Sequence, residues 1–237
     1  MNDGPLLFIN ARIVTNDPLI GNFDCAELLL GADRVVAVGT GLVNAAEDDH
    51  ATVIDCSGRI ILPGLPGLAE LVEGGAITAT GSEHRTRTLA PGNIATFIIL
   101  SAQNTEAPLY DAAESIVPST LECTVFTKGK LAEGSVAAGQ KNGGPSDELE
   151  HSVPTPAGYL GTWIDEHGFV HQTLSEDGRY HETRGGRENA FQGSYWITGN
   201  RIDYRDDLGF WACGEFDQGV LHHAGYTFHR ASTKEAI

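Results

Sequence analysis

Two adjacent histidines near the end of the chain, His222 and His223, have side chains that can gain or lose a proton near neutral pH. Neighbouring residues on a β-strand point to opposite sides of the sheet. If this strand belongs to a β-barrel, one histidine points into the barrel, and the sequence does not say which. Glu215, if buried, would have a raised pKa suited to acid/base work. We predict Asp203, Glu215 and His223 as catalytic residues, with a hydrogen-bonded core histidine as the alternative.

Three charged residues, Arg201, Asp203 and Arg205, alternate along one short segment and therefore share one face of a strand. If that face is inside a barrel, the Arg–Asp pairs bind a polar or anionic ligand. If it is outside, the three residues form a solvated ladder of charges. Both alternatives stay open at the level of sequence.

Aromatic residues are concentrated in the same part of the chain and could form the wall of a pocket. Aromatic side chains at alternate positions of a strand also commonly fill the core, and about half of these would do so. The predicted ligand-binding residues are Trp163, Tyr180, Tyr195, Arg201, Tyr204, Trp211 and His222.

Several kinds of chemistry find no support in the sequence. No Gly-x-Gly-x-x-Gly, P-loop or Gly-x-Ser-x-Gly motif follows a strand, which argues against nucleotide cofactors and serine hydrolysis. Histidines and carboxylates show no spacing typical of a metal site, and we predict neither a metal nor a cofactor. The cysteines form no CxxC pair, and Cys213 is predicted to be packed and inert; the four are Cys25, Cys56, Cys123 and Cys213.

The 237 residues carry a formal net charge of −17, with 41% hydrophobic and 20% charged residues. This balance is typical of a globular protein, and so acidic a surface disfavours nucleic acid and anionic lipid as partners. No apolar run reaches the roughly 18 residues of a membrane span, and the N-terminus lacks the basic start of a signal peptide. We expect a cytoplasmic protein.

Composition divides the chain into two unlike halves. All three tryptophans, five of the six tyrosines and seven of the nine histidines lie beyond residue 150. Residues 133–156 are rich in Gly, Ser and Pro and show no periodicity, which predicts a linker. The predicted organisation is therefore a domain at 1–132, a linker at 133–156 and a second domain at 157–237.

Both domains are predicted to be all-β. In the first, short apolar runs separated by Gly turns favour a β-sandwich. The runs are residues 6–15, with a break at Asn10, a hairpin of 27–31 and 34–39, a second pair of 53–55 and 59–62, and then 94–100 and 122–127. In the second domain, seven or eight alternating segments between residues 158 and 230 favour a closed antiparallel barrel with room for one small ligand.

The first domain resembles the composite β-sandwich of the amidohydrolase superfamily. The motifs that match, in family order, are residues 7–14, 30–39, 53–64 (which end in Leu-Pro-Gly), 87–100 (Arg-Thr-Leu-Ala-Pro-Gly-Asn-Ile) and 125–130. The family continues from Pro-Gly into Asp-x-His-x-His, whose histidines bind the metal of a large (β/α)₈ barrel. Here Ala69 and Leu71 stand near those positions, and only a couple of dozen residues replace the barrel. The resemblance therefore implies a sandwich without its catalytic metal site.

The second domain resembles a family of small bacterial barrels of the streptavidin-like or lipocalin-like kind. Gly-Thr-Trp at 161–163, Asp-Gly-Arg-Tyr at 177–180, Gly-Ser-Tyr at 193–195 and the segments 202–210 and 220–225 carry the match. The resemblance implies a ligand-binding barrel of undefined activity.

Three functions remain as hypotheses. The first is a cofactor-independent enzyme that cyclises or isomerises a small apolar metabolite in a biosynthetic pathway, where positioning does most of the work. The second is a non-catalytic small-molecule binding protein. The third is an interaction module, with the sandwich as a platform for docking or for a homo-oligomer. A buried acid/base pair facing an apolar cavity would favour the enzyme over the carrier.

Overall fold

The computed structural model describes residues 4–46, 48–64, 88–101, 123–131 and 157–231. The predicted linker and the positions of the lost metal motif, Ala69 and Leu71, lie outside these residues. Sixteen β-strands make up the described part together with two short 3₁₀ turns, Leu42–Ala45 and Ala157–Tyr159. No helix in these residues has the length and apolar character needed to cross a membrane. The all-β fold class is confirmed.

Eight strands of the second half form a closed antiparallel barrel. Each strand pairs with the next along the chain, and the ring closes where the last strand pairs with the first through Phe228 and Asp165. The strands are β9 (Gly161–Asp165), β10 (Val170–Leu174), β11 (Arg179–Arg184), β12 (Arg187–Thr198), β13 (Arg201–Asp206), β14 (Trp211–Asp217), β15 (Val220–His223) and β16 (Tyr226–Arg230).

Alternation along each strand separates the barrel interior from its outer face. In β13, for example, Ile202 and Tyr204 are buried while Arg201 and Arg205 are exposed. Residues two positions apart therefore share a face, since successive side chains of a strand point to opposite faces. The interior is filled mainly with aromatic and aliphatic side chains, but it also holds the buried polar residues Asp165, Gln172, Glu182, Arg184 and Asp206.

The first half forms one hydrogen-bonded ladder of strands in the order β3-β2-β1-β5-β6-β7-β8, with β4 also paired to β1. The ladder folds over its own core, because Phe8 of β1 contacts both Phe97 and Phe126 at ring-centroid distances of 5.3 and 5.1 Å. The strands are β1 (Leu6–Val14), β2 (Asn22–Gly31), β3 (Arg34–Gly39), β4 (Thr52–Asp55), β5 (Arg59–Pro63), β6 (Phe97–Ser101), β7 (Cys123–Thr127) and β8 (Lys130–Leu131).

Local details differ from the sequence prediction in three places. Strand β1 continues through Asn10, whose φ of 59° lies at a register shift that acts as a bulge rather than a break. The second pair of runs is not a hairpin, because β4 and β5 both pair with β1 in parallel. Residues 220–230, which the sequence presents as one run, form two strands, since Ala224 and Gly225 adopt positive φ and turn the chain.

The two halves join edge to edge, through backbone pairing of two strands. Strand β3 pairs with β14, where Val38 lies opposite Trp211 and Ala37 opposite Ala212. Trp211 points away from the barrel interior and packs against the core of the first half. Gly39 makes the junction possible, because a Cβ at this position would lie 2.4 Å from the Phe210 Cα. The barrel and the ladder are thus one continuous sheet in the described residues.

Replacing Gly39 with alanine should weaken this junction. The φ of Gly39 is +136°, and the added Cβ would also meet backbone atoms, so we expect a loss of about 1–3 kcal/mol from overpacking in addition to backbone strain. Gly58→Ala is the matched control, because Gly58 has a φ of +67° but open space around it, and strain alone should cost about 1–2 kcal/mol. Urea unfolding of both variants measures the difference; equal losses would show that the close approach has no energetic weight.

Candidate functional site

One end of the barrel interior contains a cavity that a segment of the first half covers. This closing segment, residues 42–46 and 48–51, includes the 3₁₀ turn and leads into β4. Leu42 and Ala46 pack into the same hydrophobic cluster as the barrel interior. The first half contributes apolar residues and one carboxylate, Asp49, to the cavity wall, and the barrel contributes apolar and polar residues. The lining residues are Leu29, Val36, Ala37, Leu42, Asp49, Tyr180, Glu182, Arg184, Phe191, Tyr204, Phe210, Ala212, His223 and Ala224.

A buried ion cluster forms the polar side of the cavity. Arg184 donates from Nε to Glu182 Oε1 at 2.6 Å and from Nη1 to Asp49 Oδ1 at 2.6 Å. The side chains of Arg184 and Asp49 are only 5% and 6% exposed. Tyr226 donates its hydroxyl to the same Asp49 oxygen at 2.7 Å. Burial alone would lower the pKa of Arg184, but Glu182 and Asp49 outweigh it and raise that pKa further.

Hydrogen bonds inside the barrel hold Glu182 in place. Gln172 donates its amide to Glu182 Oε2 at 3.1 Å, and Tyr204 donates its hydroxyl to Gln172 Oε1 at 2.7 Å. Tyr204, Gln172 and Glu182 are all buried. Burial raises the pKa of the Tyr204 hydroxyl well above its usual value, with the charge of Glu182 adding to the effect. The tyrosine therefore acts here as a neutral hydrogen-bond donor.

His223 lines the cavity beside this network. Its Nδ1 lies 2.9 Å from the carbonyl oxygen of Cys213, and its ring lies 4.6 Å from the ring of Tyr204. A carbonyl can only accept a hydrogen bond, so Nδ1 carries the proton. Desolvation lowers the pKa of the imidazole, which favours the neutral ring. In that ring Nε2 is the basic nitrogen.

A second buried carboxylate, Asp206, lies near the cavity, but its oxygens accept hydrogen bonds that stabilise the local fold. It accepts the Tyr180 hydroxyl at 2.6 Å and the backbone N–H groups of Gln192 and Leu208 at 3.1 and 2.7 Å. Desolvation raises the pKa of Asp206 despite these bonds, and burial together with the neighbouring Asp206 raises that of Tyr180. These contacts tie the turn after β13 to strand β11.

The cavity is small in this form of the protein. Its free space is about 30 Å³, which is on the scale of a water molecule and not of a metabolite. A site for a drug-sized ligand has a volume of roughly 300–1,000 Å³. A metabolite-sized ligand would therefore require displacement of the closing segment.

The structure places five of the predicted site residues inside the barrel. Tyr180, Tyr204 and His223 line the cavity. Trp163 and Tyr195 are buried away from it: the Trp163 indole donates to the Tyr159 carbonyl at 2.9 Å, and the Tyr195 hydroxyl donates to the Ser175 carbonyl at 2.7 Å. This placement settles which of the two histidines faces inward.

The other five lie on the outer face. Arg201 donates to Asp203 at 2.9 Å and to the Pro91 carbonyl at 3.1 Å, so the charged strand face is outside the barrel and partly covered by the first half. Glu215 is exposed and accepts a hydrogen bond from Asn200 at 2.6 Å. His222 is exposed as well, and Trp211 lies in the junction. The predicted catalytic trio of Asp203, Glu215 and His223 is therefore not brought together.

Sequence reasoning missed the ion cluster. Alternation of Tyr180, Glu182 and Arg184 along β11 was available as a signal that all three share the inner face. Asp49 gave no such signal, because it lies 135 residues from Arg184 in the sequence. Within the described residues no group of three or more His, Cys, Asp or Glu side chains has the geometry of a metal site.

Removing the buried guanidinium should be far more damaging than removing an exposed one. Arg184→Met leaves the Glu182 and Asp49 carboxylates buried without their counter-charge, and we expect a loss of about 3–5 kcal/mol. Arg179→Met on the same strand breaks the solvent-exposed pair with Asp207 and should cost little. Denaturant unfolding of both variants provides the comparison, and similar losses would contradict the importance of burial.

Acidification is expected to destabilise the protein through His223. Because its native pKa lies below the value of about 6.5 in an unfolded chain, the unfolded chain binds more protons between those values and stability falls as the pH is lowered through this window. His223→Asn keeps a donor for the Cys213 carbonyl and removes the titration.

Unfolding free energies at about pH 7.5 and pH 5.5 should therefore differ more for the native protein than for His223→Asn. The raised pKa of Asp206 has the opposite effect, because it makes the folded state more stable as the pH is lowered. This contribution is present in both the native protein and the variant, so it does not affect the comparison. An equally steep decline in the variant would show that another group is responsible.

Comparison with known proteins finds similarity over parts of the chain. Residues 156–230 match the family model described as Agrobacterium tumefaciens protein Atu4866. The solution structure of Atu4866 from Agrobacterium tumefaciens is 45% identical, over 31% of this chain and 95% of that chain, with a TM-score of 0.30. The crystal structure of a triazine hydrolase variant is 31% identical, over 26% of this chain and 13% of that chain, with a TM-score of 0.23. No curated protein matches the chain.

The family-model match falls within the second half, for which the sequence predicts a small bacterial barrel. The barrel strands lie within the stretch that matches the Atu4866 family model. Similarity to the triazine hydrolase variant spans a small part of that enzyme. The chain is thus similar in its second half to Atu4866 and, over a shorter stretch, to a triazine hydrolase.

Proposed function

We propose that the protein binds a small, largely apolar molecule in the barrel cavity beneath the closing segment. One observation carries this proposal: apolar residues that include Leu42 and Phe210 line the same cavity as the buried ion pair of Glu182 and Arg184. Binding sites for small molecules commonly combine apolar walls with a few fixed polar groups that orient the ligand. Arg184 and His223 supply those groups here.

Displacement of the closing segment would open the site. Leu42 and Ala46 hold the segment by apolar contact, and Asp48 and Asp49 hold it by ion pairs to Arg187 and Arg184 at 2.8 and 2.6 Å. Withdrawal of these side chains would add their volume to the cavity. A ligand of metabolite size would then take the place that the segment fills.

Catalysis of a cyclisation or isomerisation is the second candidate, and the state of His223 favours it. Its Nε2 is a neutral base on the wall of the cavity, with a fixed ring orientation set by the Cys213 carbonyl. A positioned base can remove or return a proton on a bound substrate without a cofactor. Glu182 is engaged by both Arg184 and Gln172, which suits an electrostatic role rather than proton transfer.

The two resemblances extend this proposal to the origin of the halves. We infer that the first half is an amidohydrolase-type sandwich that has lost its metal-binding barrel, and that the second is a streptavidin-like ligand barrel. Packing of Trp211 against the first half supports a docking role for the sandwich within the chain. A homo-oligomer formed through the sandwich and a cytoplasmic location stay predictions.

Native mass spectrometry of the purified full chain tests binding directly. We expect a retained or added metabolite to give a one-to-one complex, with denaturing extraction identifying the molecule. Ligand addition should also shift the NMR signals of His223 in the cavity more than those of His222 on the outer face. Absence of any complex across a metabolite panel, with no thermal stabilisation, would overturn the proposal and favour the interaction module.

Matched histidine variants separate the enzyme from the carrier. If His223 is the base, His223→Asn should reduce conversion of the bound compound by about 10²–10⁴-fold, which is more than it weakens binding. His222→Asn changes the neighbouring residue on the opposite face of β15 and should leave conversion intact. A bound compound that the native protein returns unchanged after incubation would identify a carrier.

A further inference from the structure

Asp49 occupies a recognition site that belongs to the barrel. Its Oδ1 accepts from the guanidinium of Arg184 and the hydroxyl of Tyr226, both of which are barrel residues. Asp49 itself comes from the closing segment of the first half, 177 residues from Tyr226 in the sequence. The barrel thus supplies the donors, and a separate part of the chain supplies the acceptor.

The barrel also balances the charge of Arg184 without Asp49. Glu182 lies two residues away on the same strand and takes the Nε donor, which leaves Nη1 directed to a second acceptor. Rings of Phe191 and Tyr226 lie 5.2 and 5.6 Å from the guanidinium carbon, so the guanidinium is held between aromatic groups. This fixed donor pair of Arg and Tyr suits one carboxylate group.

Any group that replaces Asp49 must satisfy the same donors. A neutral replacement would leave the Nη1 donor of Arg184 without a charged acceptor in a buried site, which is unfavourable. A ligand carboxylate would restore both the hydrogen bonds and the net charge of the cluster. The adjacent wall, with Leu29, Val36 and Phe210, would contact the rest of such a molecule.

We infer that the cavity takes a small, mainly apolar carboxylic acid whose carboxylate displaces Asp49 from Arg184 and Tyr226. This inference rests on the proposed binding function and names the class of ligand. Asp49 then acts as an internal substitute for the ligand, and binding of the acid is coupled to release of the closing segment.

Chemical rescue of an Asp49→Ala variant tests the inference. Removal of the carboxylate leaves space for a small acid, and sodium acetate or propionate should raise the melting temperature by at least about 4 °C over sodium chloride at equal ionic strength. Acetamide, which has the shape of acetate without its charge, should give no such increase. Lack of a carboxylate-specific increase would overturn the inference.

Asp48→Ala is the matched control on the neighbouring residue. Asp48 pairs with Arg187, whose side chain is 55% exposed, so acetate should give no more stabilisation than chloride. Equal rescue of Asp48→Ala would indicate a general effect of acetate and would count against the site. Should Asp49→Ala be unfolded when purified, acetate is expected to raise its folded fraction in refolding, and Asp49→Asn, which keeps the volume, serves as the second variant.

Binding to the native protein separates this inference from the proposed function. Among hits of the metabolite panel, carboxylic acids should bind at least tenfold more tightly than their amides, and Asp49→Asn should bind the acids more tightly than the native chain does. If neutral compounds bind in the cavity as well as acids do, the carboxylate inference fails while the binding function stands. If acetate rescues Asp49→Ala but no compound binds the native chain, the proposed binding function is wrong. Asp49 then only stabilises the fold by filling the site.

Discussion

The guanidinium of Arg184 lies inside the barrel, where a charge is stable only beside opposite charge and satisfied hydrogen-bond partners. Its own strand provides Glu182, and the closing segment provides Asp49. Gln172 donates a hydrogen bond to Glu182, and Tyr204 donates one to Gln172. The need to satisfy buried polar groups therefore extends to further strands of the barrel. The wall of the cavity is a direct consequence of this chain of polar contacts.

The same constraint connects the two halves. Because Asp49 belongs to the first half, the Nη1 donor of Arg184 and the hydroxyl of Tyr226 have this acceptor only when that half is docked. The outer face of the barrel contributes a second set of contacts, through Trp211 opposite Val38 and Arg201 on the Pro91 carbonyl. Trp211 and Arg201, which alternation alone could have placed on either face, therefore contact the first half and not the barrel interior. The first half therefore has a physical role in completing the barrel site.

The cavity combines apolar residues with a buried ion cluster, and this combination makes it a candidate site. Buried ion pairs contribute little net stability compared with apolar packing of the same volume. Stability alone therefore does not explain why a small barrel contains them. His223, kept neutral by burial and oriented by the Cys213 carbonyl, adds a base beside the ion pair. The proposed recognition of a ligand would account for this combination.

Local periodicity in the sequence predicted most of the strands and the closed barrel, because alternation is a property of neighbouring residues. Two-fold ambiguity remained wherever alternation alone had to choose a face, as for Asp203 and His223. Only the tertiary structure decided those faces, the parallel pairing of β4 and β5 with β1, and the contact of Asp49 with Arg184. Such contacts join residues far apart in the chain, and they depend on which surfaces remain to be buried once the strands have paired.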